Sequence, residues 1–99
     1  MPILALVNEM LADMTDVRTK LEIANTINFL YNIFSTGKIT EEQLRADLKE
    51  IVTVLVENRY PEMTDEEKRQ KIEEIVGMFM RQIKLETLAR RMAAKASQY

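Results

Sequence analysis

The side chains that most often carry enzyme chemistry are missing from this 99-residue sequence. It contains neither histidine nor cysteine, so a Ser-His-Asp or Cys-His site cannot form. The obvious carboxylates are adjacent glutamate pairs at residues 41–42, 66–67 and 73–74. Neighbouring side chains on a helix point about 100° apart, so each pair diverges instead of converging on a metal ion or a substrate. We therefore expect no catalytic residues, no metal site and no cofactor.

One loop carries partial likenesses to two ligand-binding motifs. Residues 35–38 read STGK, as at the end of a phosphate-binding loop, but the leading glycine is missing and Ile39 replaces the magnesium-binding hydroxyl. Residues 32–43 place Gly37 at the sixth position of a calcium-binding EF-hand loop, yet the third and twelfth positions are Phe34 and Gln43. Neither nucleotide nor calcium is expected, and the segment is predicted to be a turn between helices.

Basic side chains gather in the last quarter of the chain, although the formal net charge is −2. Glu86 is the single acid after residue 75. The cations of this segment are Arg81, Lys84, Arg90, Arg91 and Lys95. All of them except Arg90 fall within roughly 80° of one another on a helix. This basic stripe could bind an acidic protein partner or the phosphates of DNA or RNA.

Apolar residues of the same segment fall on two separate faces of the predicted helix. One arc contains Ile72, Ile75, Val76, Phe79 and Ile83, and the other contains Met78, Leu85, Leu88, Met92 and Ala96. The arcs differ by more than about 100°, so a straight helix packed on one core cannot cover both. Either the chain bends near residues 77–84 to complete the core, or its second half packs on something else. Methionine-rich helical faces suit adaptable protein contacts, so Met78, Leu85, Leu88 and Met92 are predicted to bind a partner.

A second candidate contact surface lies in the longest charge-free run, residues 23–37. Phe29 projects from a helical face that also carries Asn25, Asn28 and Asn32. An apolar side chain ringed by uncharged hydrogen-bonding groups is typical of the centre of a protein interface. The alternative is a helix that its own neighbours cross on this side, with the amides satisfied internally.

Clear start and stop signals divide the chain into helices. Thr40 with Gln43, and Thr64 with Glu67, have the spacing of capping boxes at helix starts, and Gly37 can end the helix before it. We expect helices at about 3–13, 16–36, 41–59 and 65–97, the last with or without a break near 77–84.

These elements predict an all-α fold, a small antiparallel bundle of four or five helices in one domain of residues 1–99. Its long C-terminal helix is either straight or bent. The expected core comprises Leu21, Ile27, Leu30, Phe34, Leu44, Leu48, Ile51, Leu55, Ile72, Ile75 and Phe79.

The sequence favours a binding function over a catalytic one. No apolar run reaches the ~18 residues of a membrane span, and we expect a soluble, cytoplasmic protein without a membrane partner. The predicted function is a helical protein–protein interaction module, acting as a homo-oligomer or as an accessory subunit of a larger assembly, such as one that handles nucleic acid. The alternative is a DNA- or RNA-binding protein that uses its basic C-terminal helix.

Overall fold

The computed structural model describes residues 2–98, which form four α-helices joined by short turns. The helices are α1 (Pro2–Met10), α2 (Val17–Ser35), α3 (Glu41–Arg59) and α4 (Asp65–Ala96). No β-strand occurs within residues 2–98, so the all-α class is confirmed. The five-helix alternative is wrong, because α4 continues through residues 77–84 without a break.

Side-chain caps fix the starts of three helices. The Thr40 N–H donates to Gln43 Oε1 at 2.9 Å, and the Gln43 N–H donates to Thr40 Oγ1 at 3.1 Å. Thr64 and Glu67 make the same two bonds at the start of α4, and the hydrogen bond from the Thr64 N–H lowers the pKa of Glu67 below its ordinary value. At α2, the Thr19 hydroxyl and N–H donate to Asp16 at 2.8 and 3.3 Å. These local bonds explain why the helices begin where they do.

Gly37 makes the turn between α2 and α3. Its φ is 77°, a left-handed conformation that costs other residues strain. The next residue, Lys38, donates its N–H to the carbonyl of Ile33 at 2.8 Å, which closes the end of α2. The chain then reverses over a few residues and enters the cap of α3.

The core draws apolar side chains from all four helices. The buried apolar residues are Ile3, Val7, Leu11, Ala24, Ile27, Leu30, Tyr31, Leu44, Leu48, Val52, Val56, Ile72, Ile75, Val76, Phe79, Met80 and Ile83. Phe34, Ile51 and Leu55 are half-buried against this core. Leu21 was expected inside but is 57% exposed, because it lies about 120° around α2 from the centre of the arc formed by Ile27 and its buried neighbours.

Charged contacts tie α3 and α1 to their neighbours. Lys49 Nζ lies 3.4 Å from Glu73 Oε1, and Lys84 Nζ lies 2.9 Å from Glu41 Oε1. The start of α3 therefore lies beside the second half of α4. Arg59, in the last turn of α3, donates to the Met10 carbonyl and to Asp13 Oδ1, which fastens the end of α1.

Helix α4 spans most of the length of the molecule. Its 32 residues correspond to about 48 Å at 1.5 Å per residue, and the longest extent of the molecule is 54 Å. Thr87 is the last buried residue, and residues 88–98 are exposed. The core therefore covers α4 only as far as Thr87.

Candidate protein-contact surfaces

The first surface, which we call the α4 stripe, consists of Met78, Leu85, Leu88 and Met92. Leu85 is 62% exposed, and Leu88 and Met92 are each 56% exposed, whereas Met78 is half-buried. The buried residues of α4 are centred about 170° away around the helix. The stripe thus lies on the side of α4 opposite the core, and the helix carries two apolar faces of which the fold covers one.

The cations of α4 after residue 80 differ in whether they contact the rest of the fold. Lys84 is shared with Glu41 of α3, and Arg81, Arg91 and Lys95 are exposed beside the stripe. These last three make no ion pair with any residue between 2 and 98. They leave a positive rim on the apolar stripe.

Arg90 does not join that rim. Its guanidinium donates to Ser35 Oγ at 2.7 Å and reaches Asn32 Oδ1 at 3.5 Å, and its Cζ lies 6.0 Å from the centre of the Tyr31 ring. These contacts attach α4 to the last turns of α2. Arg90 therefore serves an internal contact, although the sequence grouped it with the other four cations.

The second surface, which we call the α2 patch, consists of Phe29, Asn25, Asn28 and Asn32. Phe29 is 59% exposed, and Asn25 and Asn32 are exposed around it. Asn28 is half-buried, and its Oδ1 accepts no hydrogen bond from the described residues. Phe29 is consequently outside the core, and no neighbouring helix within residues 2–98 covers it.

Two further apolar residues of α2 that are exposed were not identified from the sequence. Leu21 and Val17 are 57% and 65% exposed, and Leu21 is one turn before Asn25 on the same face. The angle of Leu21 on the helix could have predicted its exposure, since it places that side chain nearer to Asn25 than to Ile27.

A groove borders the α4 stripe where α4 passes the turn between α2 and α3. It is lined by Phe34, Glu41, Lys84, Thr87, Leu88 and Arg91. Thr87 is 4% exposed, and its hydroxyl has no hydrogen-bond partner among residues 2–98. The groove adds to the apolar surface around Leu88, and Lys84 and Arg91 contribute positive charge to its lining.

The carboxylates are spread over separate structural contacts. Glu67 caps α4, Glu66 accepts hydrogen bonds from Arg69 and Gln70, and Glu73 pairs with Lys49. Across the described part of the chain, no group of three or more acidic side chains is placed to hold a metal ion. An apolar cavity enclosed by Val7, Ile27, Val56 and Phe79, among others, measures only about 20 Å³, which is the space of about one water molecule.

Comparison with known proteins assigns no relative. No protein-family model matches the chain, and neither the curated proteins nor the solved structures gave a match. None of the four helices traced between residues 2 and 98 is both long and apolar enough to cross a membrane.

Proposed function

We propose that this protein is a non-catalytic helical interaction module whose α4 stripe binds another protein surface. The observation that carries the proposal is the exposure of Leu85, Leu88 and Met92 on the side of α4 away from the core. Three large apolar side chains in line on one helix face are costly to leave in water, at roughly 25 cal/mol for each Å² of apolar surface. Contiguous exposed apolar surface with a polar rim is a mark of a protein contact.

The module acts as a homo-oligomer or as an accessory subunit of a larger assembly. The α2 patch supports the first form, because Phe29 is surrounded by uncharged amides and a second copy would bring no like charge against it. The α4 stripe supports the second form, because the charged residues beside it, Arg81, Arg91 and Lys95, are all basic. We keep the cytoplasm as the expected compartment.

A small antiparallel bundle is the helix arrangement that we propose for this module. The ion pairs of Glu41 with Lys84 and of Lys49 with Glu73 support opposite directions for α3 and α4, since the earlier residue of α3 pairs with the later residue of α4. Short turns join successive helices, as is usual for antiparallel neighbours. In this arrangement α4 is an edge of the molecule for part of its length, which leaves the stripe accessible.

Nucleic-acid binding is the second candidate function. The exposed cations Arg81, Arg91 and Lys95 favour it, because they lie on one side of α4 and could follow a phosphate backbone. The Leu and Met side chains between them count against it, since phosphates would leave this apolar surface uncovered. A protein partner accounts for both the apolar centre and the basic rim.

The direct test is site-specific photo-crosslinking in the cells that make the protein. A photoreactive residue replaces Leu88 in the α4 stripe, and the matched control replaces the exposed Glu57 of α3. We expect a discrete protein adduct from position 88 and none from position 57. An adduct of about twice the 11.6 kDa chain indicates a second copy, and any other discrete mass indicates a different protein.

Three results would overturn the proposal. An adduct at position 88 that nuclease removes would favour the nucleic-acid function. Equal labelling at positions 88 and 57, or no labelling at position 88, would show that the stripe has no protein partner.

A further inference from the structure

The α4 stripe has the spacing of a coiled-coil seam. From Met78, the next positions of the seam are Arg81, Leu85, Leu88, Met92 and Lys95, at alternating intervals of three and four residues. This is the a and d repeat by which one helix packs along another. Residues 78–95 correspond to about 27 Å of helix. The apolar positions fill the centre of the seam, and cations stand near both of its ends.

The flanks of this seam carry positive charge and no negative charge. In the heptad repeat, Lys84 and Arg91 occupy one flank, while Gln82, Ala89 and Ala96 occupy the other. The single acid after residue 75, Glu86, is half-buried and outside these positions. Flanking charges select the partner of a coiled coil, so this surface favours a partner with acidic flanks.

The same charges disfavour a second copy of this chain on the stripe. In a parallel pair, each seam residue faces itself, so Arg81 would meet Arg81 and Lys95 would meet Lys95. In an antiparallel pair, Lys84 of one copy would approach Arg91 of the other. Like charges placed against each other suppress a wrong partner, and between residues 78 and 95 α4 has no acid at a seam or flank position that would relieve either arrangement.

We propose that the α4 stripe binds an amphipathic helix of a different protein, whose apolar seam is flanked by Glu or Asp. This inference rests on the proposed function and specifies the chemistry of its partner. The apolar seam of the incoming helix packs on Leu85, Leu88 and Met92. Its carboxylates pair with Arg81, Arg91 and Lys95, which make no ion pair within residues 2–98.

The groove beside Leu88 gives this partner a second contact. Phe34 and Leu88 supply apolar lining, and the charged lining comprises Lys84, which pairs with Glu41, and Arg91, which makes no ion pair within residues 2–98. A carboxylate from the acidic flank of the incoming helix would pair with Arg91 in this groove. The helix would therefore contact both α4 and the end of α2, which fixes its register along the stripe.

The test uses the full chain and two designed peptides of about four heptads. Both peptides carry Leu at the a and d positions, and their e and g positions are all Glu in one and all Lys in the other. Fluorescence anisotropy measures each Kd at about 50 mM and about 300 mM salt. We expect the Glu peptide to bind at least ~10-fold more tightly than the Lys peptide, with a smaller difference at the higher salt.

Protein variants separate the apolar contribution from the charged one. Leu88→Asp should weaken binding of the Glu peptide by at least ~10-fold, and the double change Arg81→Glu with Arg91→Glu should reverse the order of the two peptides. Lys84 is left intact because it pairs with Glu41. The matched control is Arg18→Glu on α2, an exposed arginine away from the stripe, which should leave the preference unchanged.

We expect a Kd of about 1 μM for the Glu peptide. The inference is overturned if neither peptide binds at concentrations up to about 100 times that Kd, or if both peptides bind equally. It is also overturned if a DNA duplex binds and Leu88→Asp leaves that binding intact, or if the chain self-associates through Leu88 instead. Failure of the peptides together with a protein adduct at position 88 would remove the acidic helix and leave the proposed function standing. Failure of both experiments would remove the proposed function as well.

Discussion

Phe29 and Leu30 are adjacent on α2, yet Phe29 is 59% exposed and Leu30 is 5% exposed. The helix places them about 100° apart, so one points to solvent and the other points into the core. Their neighbours follow the same division, with Asn25 and Asn32 around Phe29. For these two residues, the direction of the side chain on the helix decides between the exposed surface and the interior of the fold.

This division predicts opposite outcomes for two aspartate substitutions. Phe29→Asp should change the free energy of unfolding by less than about 1 kcal/mol, because the site is exposed and the main cost is the lower helix propensity of Asp. Leu30→Asp should cost about 3–5 kcal/mol or prevent folding, because it buries a charge without a partner. Urea denaturation of both variants measures the difference. Equal destabilisation would show that Phe29 is buried in the folded protein.

The sequence predicted the residue-scale picture well where helical angle alone decides exposure. Ile27, Leu30, Leu44, Leu48, Ile72, Ile75 and Phe79 were expected in the core and are buried. The prediction that Leu21 is buried was wrong, because it followed from the apolar side chain and not from its angle on the helix. The internal contact of Arg90 with Ser35 could not be predicted, because it depends on how far α4 extends along α2.

Among the helices, local hydrogen bonds explain where α3 and α4 start, and packing on the core explains why α4 continues through Gly77. The bonds of Thr40 with Gln43 and of Thr64 with Glu67 lie within one turn, so their spacing is readable from the sequence. Whether Gly77 would interrupt α4 was not readable, because one glycine weakens a helix by only about 1 kcal/mol. Ile75, Val76 and Phe79 pack on the core around it, and the helix continues.

The two glycines of the chain should therefore respond oppositely to alanine. Gly77→Ala should raise the free energy of unfolding by about 0.5–1 kcal/mol through helix propensity, since the added Cβ would meet Arg81 Nη1 at an ordinary 3.6 Å. Gly37→Ala should lower it by about 1–2 kcal/mol. Apart from its chain neighbours, no residue between 2 and 98 comes within 4 Å of a Cβ at Gly37, so the positive φ alone causes that loss. Chemical denaturation gives both values, and a loss of stability in Gly77→Ala would show that α4 needs the glycine.

At the scale of the whole molecule, the fold is elongated along α4. Its radius of gyration is 14.7 Å, compared with about 12.6 Å for a compact domain of this length. The length of α4 accounts for this shape, because its 32 residues correspond to about 48 Å of the 54 Å longest extent. The sequence showed two apolar faces on α4 but could not decide whether a bend would bury both, because the answer depends on the lengths of the other helices.

The proposed interface at the α4 stripe is most directly tested by the native mass of the protein in extracts of the cells that make it. The intact chain should elute in a complex larger than 11.6 kDa. Leu88→Asp should elute as the monomer, with unchanged helix content by circular dichroism, because it places a charge at the apolar centre of the stripe. Arg18→Glu, the matched surface change, should elute with the intact chain. Elution of the intact chain and of Leu88→Asp at the same monomeric mass would contradict the account.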